Sequence, residues 1–96
     1  MPNRPDADRI LLARLDGTAH RLLREKVDRD ACNVELHAIT ARTDLLTAAA
    51  ANSLAAWQQH SRHDGDRVAR MLIAAGADAD QVETLAAERR EQIPRA

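Results

Sequence analysis

Two histidines and a neighbouring carboxylate have a spacing that could bind a metal ion: His60, His63 and Asp64. Residues three apart lie on one face of a helix, so both imidazoles and the carboxylate could reach one zinc ion. A further protein ligand would have to come from elsewhere in the chain. The same histidines suit a helix end, where a charged imidazole interacts well with the helix dipole. We therefore predict no bound metal or cofactor, with His60 and His63 as the candidate ligands if zinc binds.

The single cysteine, Cys32, carries the most nucleophilic side chain of the sequence. A reactive thiol needs an exposed, electropositive setting that lowers its pKa, and no run of lysines surrounds Cys32. Its place among apolar residues instead predicts a small buried side chain. His20 is predicted to pair with Asp16 on the surface, and His37 to lie in a solvated polar strip. No histidine has a nucleophile at an inferable distance, so we predict that the protein is not an enzyme.

The composition predicts one small helical domain over residues 1–96, with flexible ends at 1–5 and 94–96. The net charge is −1, and acidic and basic residues are interspersed along the chain. No block of like charge therefore indicates a nucleic-acid arm or a membrane patch. No stretch is apolar over about 18 residues, which excludes a membrane span. A lone cysteine cannot form an intrachain disulfide, and this favours the cytoplasm.

The apolar residues recur with a helical period, and no segment alternates as a strand would. The predicted fold is therefore all-α: a long helical hairpin followed by two short helices, in a bundle-like arrangement. The first helix of the hairpin is predicted from residue 5 or 6 to residues 27–29, and the second from about residue 30 to residue 60.

The predicted second helix has apolar residues on two sides. One stripe contains Cys32, Leu36, Ile39, Leu46, Ala50, Leu54 and Trp57, and the other contains Val34, Ala38, Ala41, Leu45, Ala48 and Ala56. A helix with two apolar faces needs neighbours on both sides, and a short chain with no Phe or Tyr has a thin core. We therefore expect the protein to pair with itself or with a larger partner. The predicted contact residues are Leu45, Ala48, Ala49, Leu54 and Trp57.

The two short helices are predicted from their end signals. The segment from Ser61 to Asp66 has the composition of a linker, and the third helix should begin near Asp64 or Asp66. Asp66 could pair with Arg70 one turn later. Gly76 is predicted to end that helix in a left-handed conformation. Asp80 is predicted to cap the fourth helix, with a glutamate at position 83 completing a capping box.

Two helices joined by a turn that contains glycine also resemble a DNA-binding helix-turn-helix motif. The residues that would contact DNA are Arg67, Arg70, Gln81, Thr84, Arg89 and Arg90. Phosphate binding needs several positive charges, whereas Asp78, Asp80 and Glu83 crowd the start of the second helix of the motif.

The sequence therefore predicts a cytoplasmic protein–protein interaction module, an adaptor or regulatory subunit, that acts through apolar helix faces. A DNA-binding regulator that uses residues 67–90 is the alternative. The expected partners are a second copy or a larger protein, and we predict no contact with a membrane.

Overall fold

The computed structural model describes residues 4–55 and 62–92, and of residues 4, 5, 62, 63 and 92 it describes the backbone alone. Within these ranges the chain forms five helices and no strand, which confirms the predicted all-α, bundle-like fold. The helices are α1 (Arg4–Arg24), α2 (Arg29–Ile39), α3 (Thr43–Ala55), α4 (Arg62–Ala74) and α5 (Ala79–Gln92). None of them combines the length and the apolar character needed to cross a membrane. Residues 62–66 belong to α4, so the predicted linker does not extend over them.

The predicted helix over residues 30–60 is wrong, because the chain leaves helical geometry between α2 and α3. Thr40 is extended, with φ −165° and ψ 146°, although its backbone N–H still donates to Leu36 O at 3.1 Å. The Thr40 hydroxyl oxygen accepts a hydrogen bond from the backbone N–H of Arg42 at 3.1 Å. Such local bonds between side chain and backbone compete with helix formation. The break also removes the predicted second stripe, since Val34 is 71% exposed.

Helix α3 is the central helix of the fold, and α1, α4 and α5 all pack against it. Its buried residues are Leu45, Leu46, Thr47, Ala49, Ala50, Ala51, Ser53, Leu54 and Ala55. A helix that is apolar nearly all round is expected in the middle of a bundle, where its neighbours come from several directions. One chain covers the sides of α3, and the reason for expecting a second subunit is therefore removed.

The turns that end α1 and α4 have the same backbone design, fifty positions apart. Lys26 and Gly76 follow the two helices with positive φ angles of 55° and 130°. In both turns the next backbone N–H closes a Schellman hydrogen bond: Val27 to Leu22 O at 3.2 Å, and Ala77 to Leu72 O at 3.0 Å. The predicted helix end at Gly76 is confirmed, and α1 ends a few residues earlier than predicted.

The helices that follow these turns also begin in the same way. Asp28 caps α2 by accepting a hydrogen bond from the Ala31 N–H at 3.0 Å. Asp78 accepts hydrogen bonds from the backbone N–H groups of Asp80 and Gln81 at 3.0 and 3.2 Å. The predicted cap at Asp80 is therefore wrong by two residues. We name α1–α2 and α4–α5 the two helix–turn–helix units, because their turns and caps have the same local design.

Polar contacts fix α3 against both units. Thr47, which is 1% exposed, accepts a hydrogen bond through Oγ1 from the backbone N–H of Asp78 at 2.9 Å. At the start of α3, the guanidinium of Arg42 binds Asp8 of α1 at 2.9 Å and Asp44 at 2.6 Å. The hydrogen bond from Arg42 lowers the pKa of the Asp44 carboxyl.

Candidate functional site

A groove lies beside α4, where the turn between α1 and α2 approaches that helix. Two adjoining cavities of about 310 Å³ each form this groove, and both are lined by Leu23 and Arg67. We name it the basic groove and define it by its floor and its rim. The floor is formed by Leu23, Val27, Cys32, Met71 and Ala74. The rim is formed by Arg24, Lys26, Arg29, Arg67 and Arg70.

The floor of the basic groove is a continuation of the core. Leu23, Val27 and Met71 are half-buried and pack against the buried residues of the bundle. Cys32 lies beneath them, and its thiol donates a weak hydrogen bond to the Val27 carbonyl at 3.4 Å. Because these side chains are only partly covered, the floor presents apolar surface to water at the bottom of a concave site.

The rim carries five exposed cations. Within the described part of the chain, none of the five forms an ion pair. The predicted pair between Asp66 and Arg70 is absent, and the lining includes one carboxylate, that of Asp64. The whole protein has a net charge of −1, whereas the lining of the basic groove contains five cations and one carboxylate.

Some arginines elsewhere in the bundle have partners within the protein, whereas Arg9 and Arg14 of α1 are exposed and form no ion pair with a described residue. Arg21 binds Glu35 of α2 and also Glu25. These hydrogen bonds raise the pKa of the Arg21 guanidinium, and the bond to Glu35 has the largest effect. Arg42 is likewise held between two aspartates. The rim differs from the rest of the surface because five cations without a described ion-pair partner surround one apolar concave site.

Two of the predicted DNA-contacting arginines point into the bundle. Arg89 donates from Nη1 to the Ala48 carbonyl at 3.5 Å, and Arg90 donates from Nη2 to the Leu54 carbonyl at 3.3 Å. Both guanidinium groups are half-buried and contact α3. The two arginines of α4 instead line the basic groove, so the structure does not bring the predicted set together on one surface.

The remaining DNA-contacting candidates, Gln81 and Thr84, are exposed on α5. The Thr84 hydroxyl donates to the Asp80 carbonyl at 3.3 Å, and the carboxylate of Asp78 is occupied in capping the helix. The start of α5 therefore presents acidic side chains together with the polar residues that would have to approach DNA.

The predicted interface residues belong to the core. Leu45, Ala49 and Leu54 are buried in one chain, and Ala48 is half-buried beside Arg89. These side chains are covered by the neighbouring helices, so the basic groove replaces them as the candidate binding surface. Trp57 lies outside the described residues.

The predicted metal ligands fall where the structure gives no side chains. His60 lies outside the described residues, and His63 is described by its backbone alone. Among the side chains that are described, no three from His, Cys, Asp and Glu come together as a metal site would require.

The other two histidines make contacts of their own. His20 forms the predicted pair with Asp16, at 3.4 Å, and lines the basic groove beside Arg24. The His37 ring is exposed but forms a hydrogen bond with the Ala75 carbonyl, so this side chain links α2 to the end of α4. The prediction that His37 lies in a solvated strip missed this contact.

Comparison with known proteins gives no match to this chain among family models, curated proteins or solved structures. The functional conclusion therefore rests on the geometry and charge of the basic groove.

The basic groove was not predicted from the sequence, although the sequence contains a signal for part of it. Arg67, Arg70, Met71 and Ala74 have helical spacing and share one side of α4. The other half of the groove comes from residues 20–33, and their approach to α4 depends on the packing of the two units around α3.

Burial raises the pKa of the Cys32 thiol from its ordinary value of 9.0, and the charges of Asp28 and Glu35 raise it further. The folded state thus favours the protonated thiol, so its stabilising contribution is complete below pH 9.0 and declines at higher pH. We expect the unfolding free energy of the wild type to fall more steeply above that pH than that of Cys32→Val. Valine is a matched replacement because Val82 holds the equivalent buried position in α5. Urea titrations between about pH 7 and 10 test this, and parallel pH profiles of the two proteins would contradict it.

Proposed function

We propose that this protein is a small protein–protein interaction module whose binding surface is the basic groove. The observation that carries the proposal is a set of five cations, none of them ion-paired to a described residue, around a partly exposed apolar floor. Protein interfaces commonly combine an apolar centre with a polar rim, and arginine is enriched among their energetically important residues. A binding role would also account for a group of exposed cations that pair with no described carboxylate.

The chemistry of the groove favours binding over catalysis. Its thiol, Cys32, is buried and has a raised pKa, whereas a cysteine nucleophile needs a lowered one. His20 is committed to a pair with Asp16. The cations of the rim and the apolar floor are suited to holding a ligand in place.

Nucleic-acid binding is the second candidate, because the same five cations could neutralise phosphates. A protein partner is favoured for two reasons. Phosphates would bind the cations of the rim and leave the apolar side chains of the floor uncovered. In addition, the polar face of α5 that a helix-turn-helix protein would place on DNA begins with acidic residues.

Charge reversal of the rim tests the proposed function. We expect Arg67→Glu combined with Arg70→Glu to lose a partner that the wild-type protein captures from a native lysate, because both side chains line the groove. The matched control is Arg9→Glu combined with Arg14→Glu, two exposed α1 residues outside the groove lining, and it should retain the partner.

The measurement is quantitative mass spectrometry of the captured proteins, with and without nuclease, after circular dichroism has shown that all three proteins are folded. The same partners on both variants would contradict the proposed function. Capture that disappears on nuclease treatment would instead support the nucleic-acid alternative.

A further inference from the structure

We infer that the basic groove binds an acidic amphipathic helix, a partner segment whose carboxylates meet the rim while one or two large apolar side chains cover the floor. This inference rests on the proposed function and names the chemistry of its partner. It depends on three properties of the groove: its charge, its apolar floor and the elements that border it.

The charge of the rim selects an acidic partner. Arg24 and Lys26 line one cavity, Arg29 and Arg70 line the other, and Arg67 lines both. A partner therefore meets positive charge along the full length of the groove. Arginine side chains bind carboxylates through paired hydrogen bonds, and four of the five rim residues are arginines. Each exposed pair contributes little by itself, so binding should require several carboxylates and should weaken with salt.

The floor selects a partner that also has apolar side chains. Leu23, Val27 and Met71 are half-buried, and burial of their remaining apolar surface would favour binding. Each cavity, at about 310 Å³, lies at the lower limit for a small-molecule pocket but has room for a leucine or phenylalanine side chain. Met71 has an unbranched, adaptable side chain and could adjust to either. A purely acidic chain such as polyglutamate would leave this surface uncovered.

The elements that border the groove favour a helical segment. The described residues contain no strand, so a partner cannot add to a sheet edge in this part of the protein. The groove lies between α4 and the α1–α2 turn, and an amphipathic helix binds such a groove by placing residues at i, i+3, i+4 and i+7 on its floor. The acidic side chains that flank this stripe would then face the rim.

Fluorescence anisotropy with the full chain and a designed peptide tests the inference. The probe is a labelled peptide of about 15 residues with leucines at i, i+3, i+4 and i+7 and glutamates on the flanks. Its controls replace the glutamates by glutamine or the leucines by alanine, and polyglutamate and a mixed DNA duplex test charge alone. We expect each peptide control to bind at least about tenfold more weakly than the probe.

The protein variants locate the binding. We expect Arg67→Glu combined with Arg70→Glu to lower the affinity for the probe at least about tenfold. The affinity of Arg9→Glu combined with Arg14→Glu should stay within about twofold of the wild-type value. Met71→Ala should lower the affinity for the leucine-containing probe but not the affinity for polyglutamate. The inference would be overturned if the affinity for the probe did not change when its glutamates are replaced, when its leucines are replaced, or when Arg67 and Arg70 are replaced. It would also be overturned if the DNA duplex bound more tightly than the probe.

The outcome also separates this inference from the proposed function. If the designed peptide fails while a cellular partner still depends on Arg67 and Arg70, the groove is a protein-binding site for a partner of different chemistry, and this inference alone is overturned. If neither depends on those two arginines, both proposals are overturned.

Discussion

Replacement of Leu46 by alanine is expected to lower the unfolding free energy by about 2–5 kcal/mol. Leu46 is fully buried in α3, the helix that contacts α1, α4 and α5, and its Cδ1 lies against the turn at Gly76. The change removes apolar contacts and leaves a cavity that the rigid surroundings can fill only in part. For a domain of this size such a loss is a large share of the total stability.

Urea denaturation followed by circular dichroism measures the Leu46→Ala effect. The matched control is Asn52→Ala, since Asn52 is exposed on the same helix and the change should stay within about 0.5 kcal/mol. Equal losses for the two variants would mean that α3 is not the centre of the core.

Opposite changes in stability are expected at the two equivalent turns. Gly76→Ala should destabilise the protein by about 1–3 kcal/mol, because Gly76 has a φ of 130° that residues with a Cβ rarely adopt. A Cβ at this position would lie 3.5 Å from Leu46 Cδ1, which is an ordinary contact, so the cost is conformational and not steric. Lys26→Gly should stabilise the protein by about 0.5–1 kcal/mol, since Lys26 holds a left-handed φ of 55°.

Thermal and urea unfolding of the two variants check this pair of effects. Changes of the same sign, or no change at Gly76, would show that the two turns are not conformationally alike. Lys26→Gly has a second use because it removes a rim cation. The Lys26→Gly variant should be more stable than the wild type and should bind the acidic probe more weakly. Stability and binding can therefore be separated in one variant.

Local signals in the sequence were sufficient to predict the helical class and several helix ends. Gly76 was predictable because a glycine after an apolar helical stretch allows the positive φ that the turn requires. The cap of α5 was placed two residues late because Asp78 and Asp80 are both suitable capping residues. Which of them accepts the hydrogen bonds depends on where the preceding turn ends.

The break between α2 and α3 was not predictable from such signals. Neither Gly nor Pro lies between residues 30 and 60, and Thr40 and Asp44 have the polar character that an exposed helix face would also show. The described members of the two apolar stripes are divided among α2, α3 and the segment that joins them, and α3 is buried by three neighbours. Tertiary packing, which a periodicity analysis does not contain, decides this break.

The basic groove was beyond sequence analysis for a related reason. Its residues come from segments about forty positions apart, and the arginines of α4 were grouped with α5 as a DNA-binding motif. The similarity of the two helix–turn–helix units is visible in the sequence. Ala19, Leu22, Asp28 and Asp30 recur fifty positions later as Ala69, Leu72, Asp78 and Asp80. A search for repeats fifty positions apart would have indicated that α1–α2 and α4–α5 share one design.

The place of α3 between the two repeated units has a consequence for how the protein unfolds. In linear repeat proteins each unit contacts its neighbours, and separate parts can melt independently. Here both units cover one shared helix, and either half expressed as a fragment would leave its share of that apolar surface in water. We therefore expect the protein to unfold as a single cooperative body, and cleavage at Thr40–Arg42 should yield pieces that regain structure only when they are mixed.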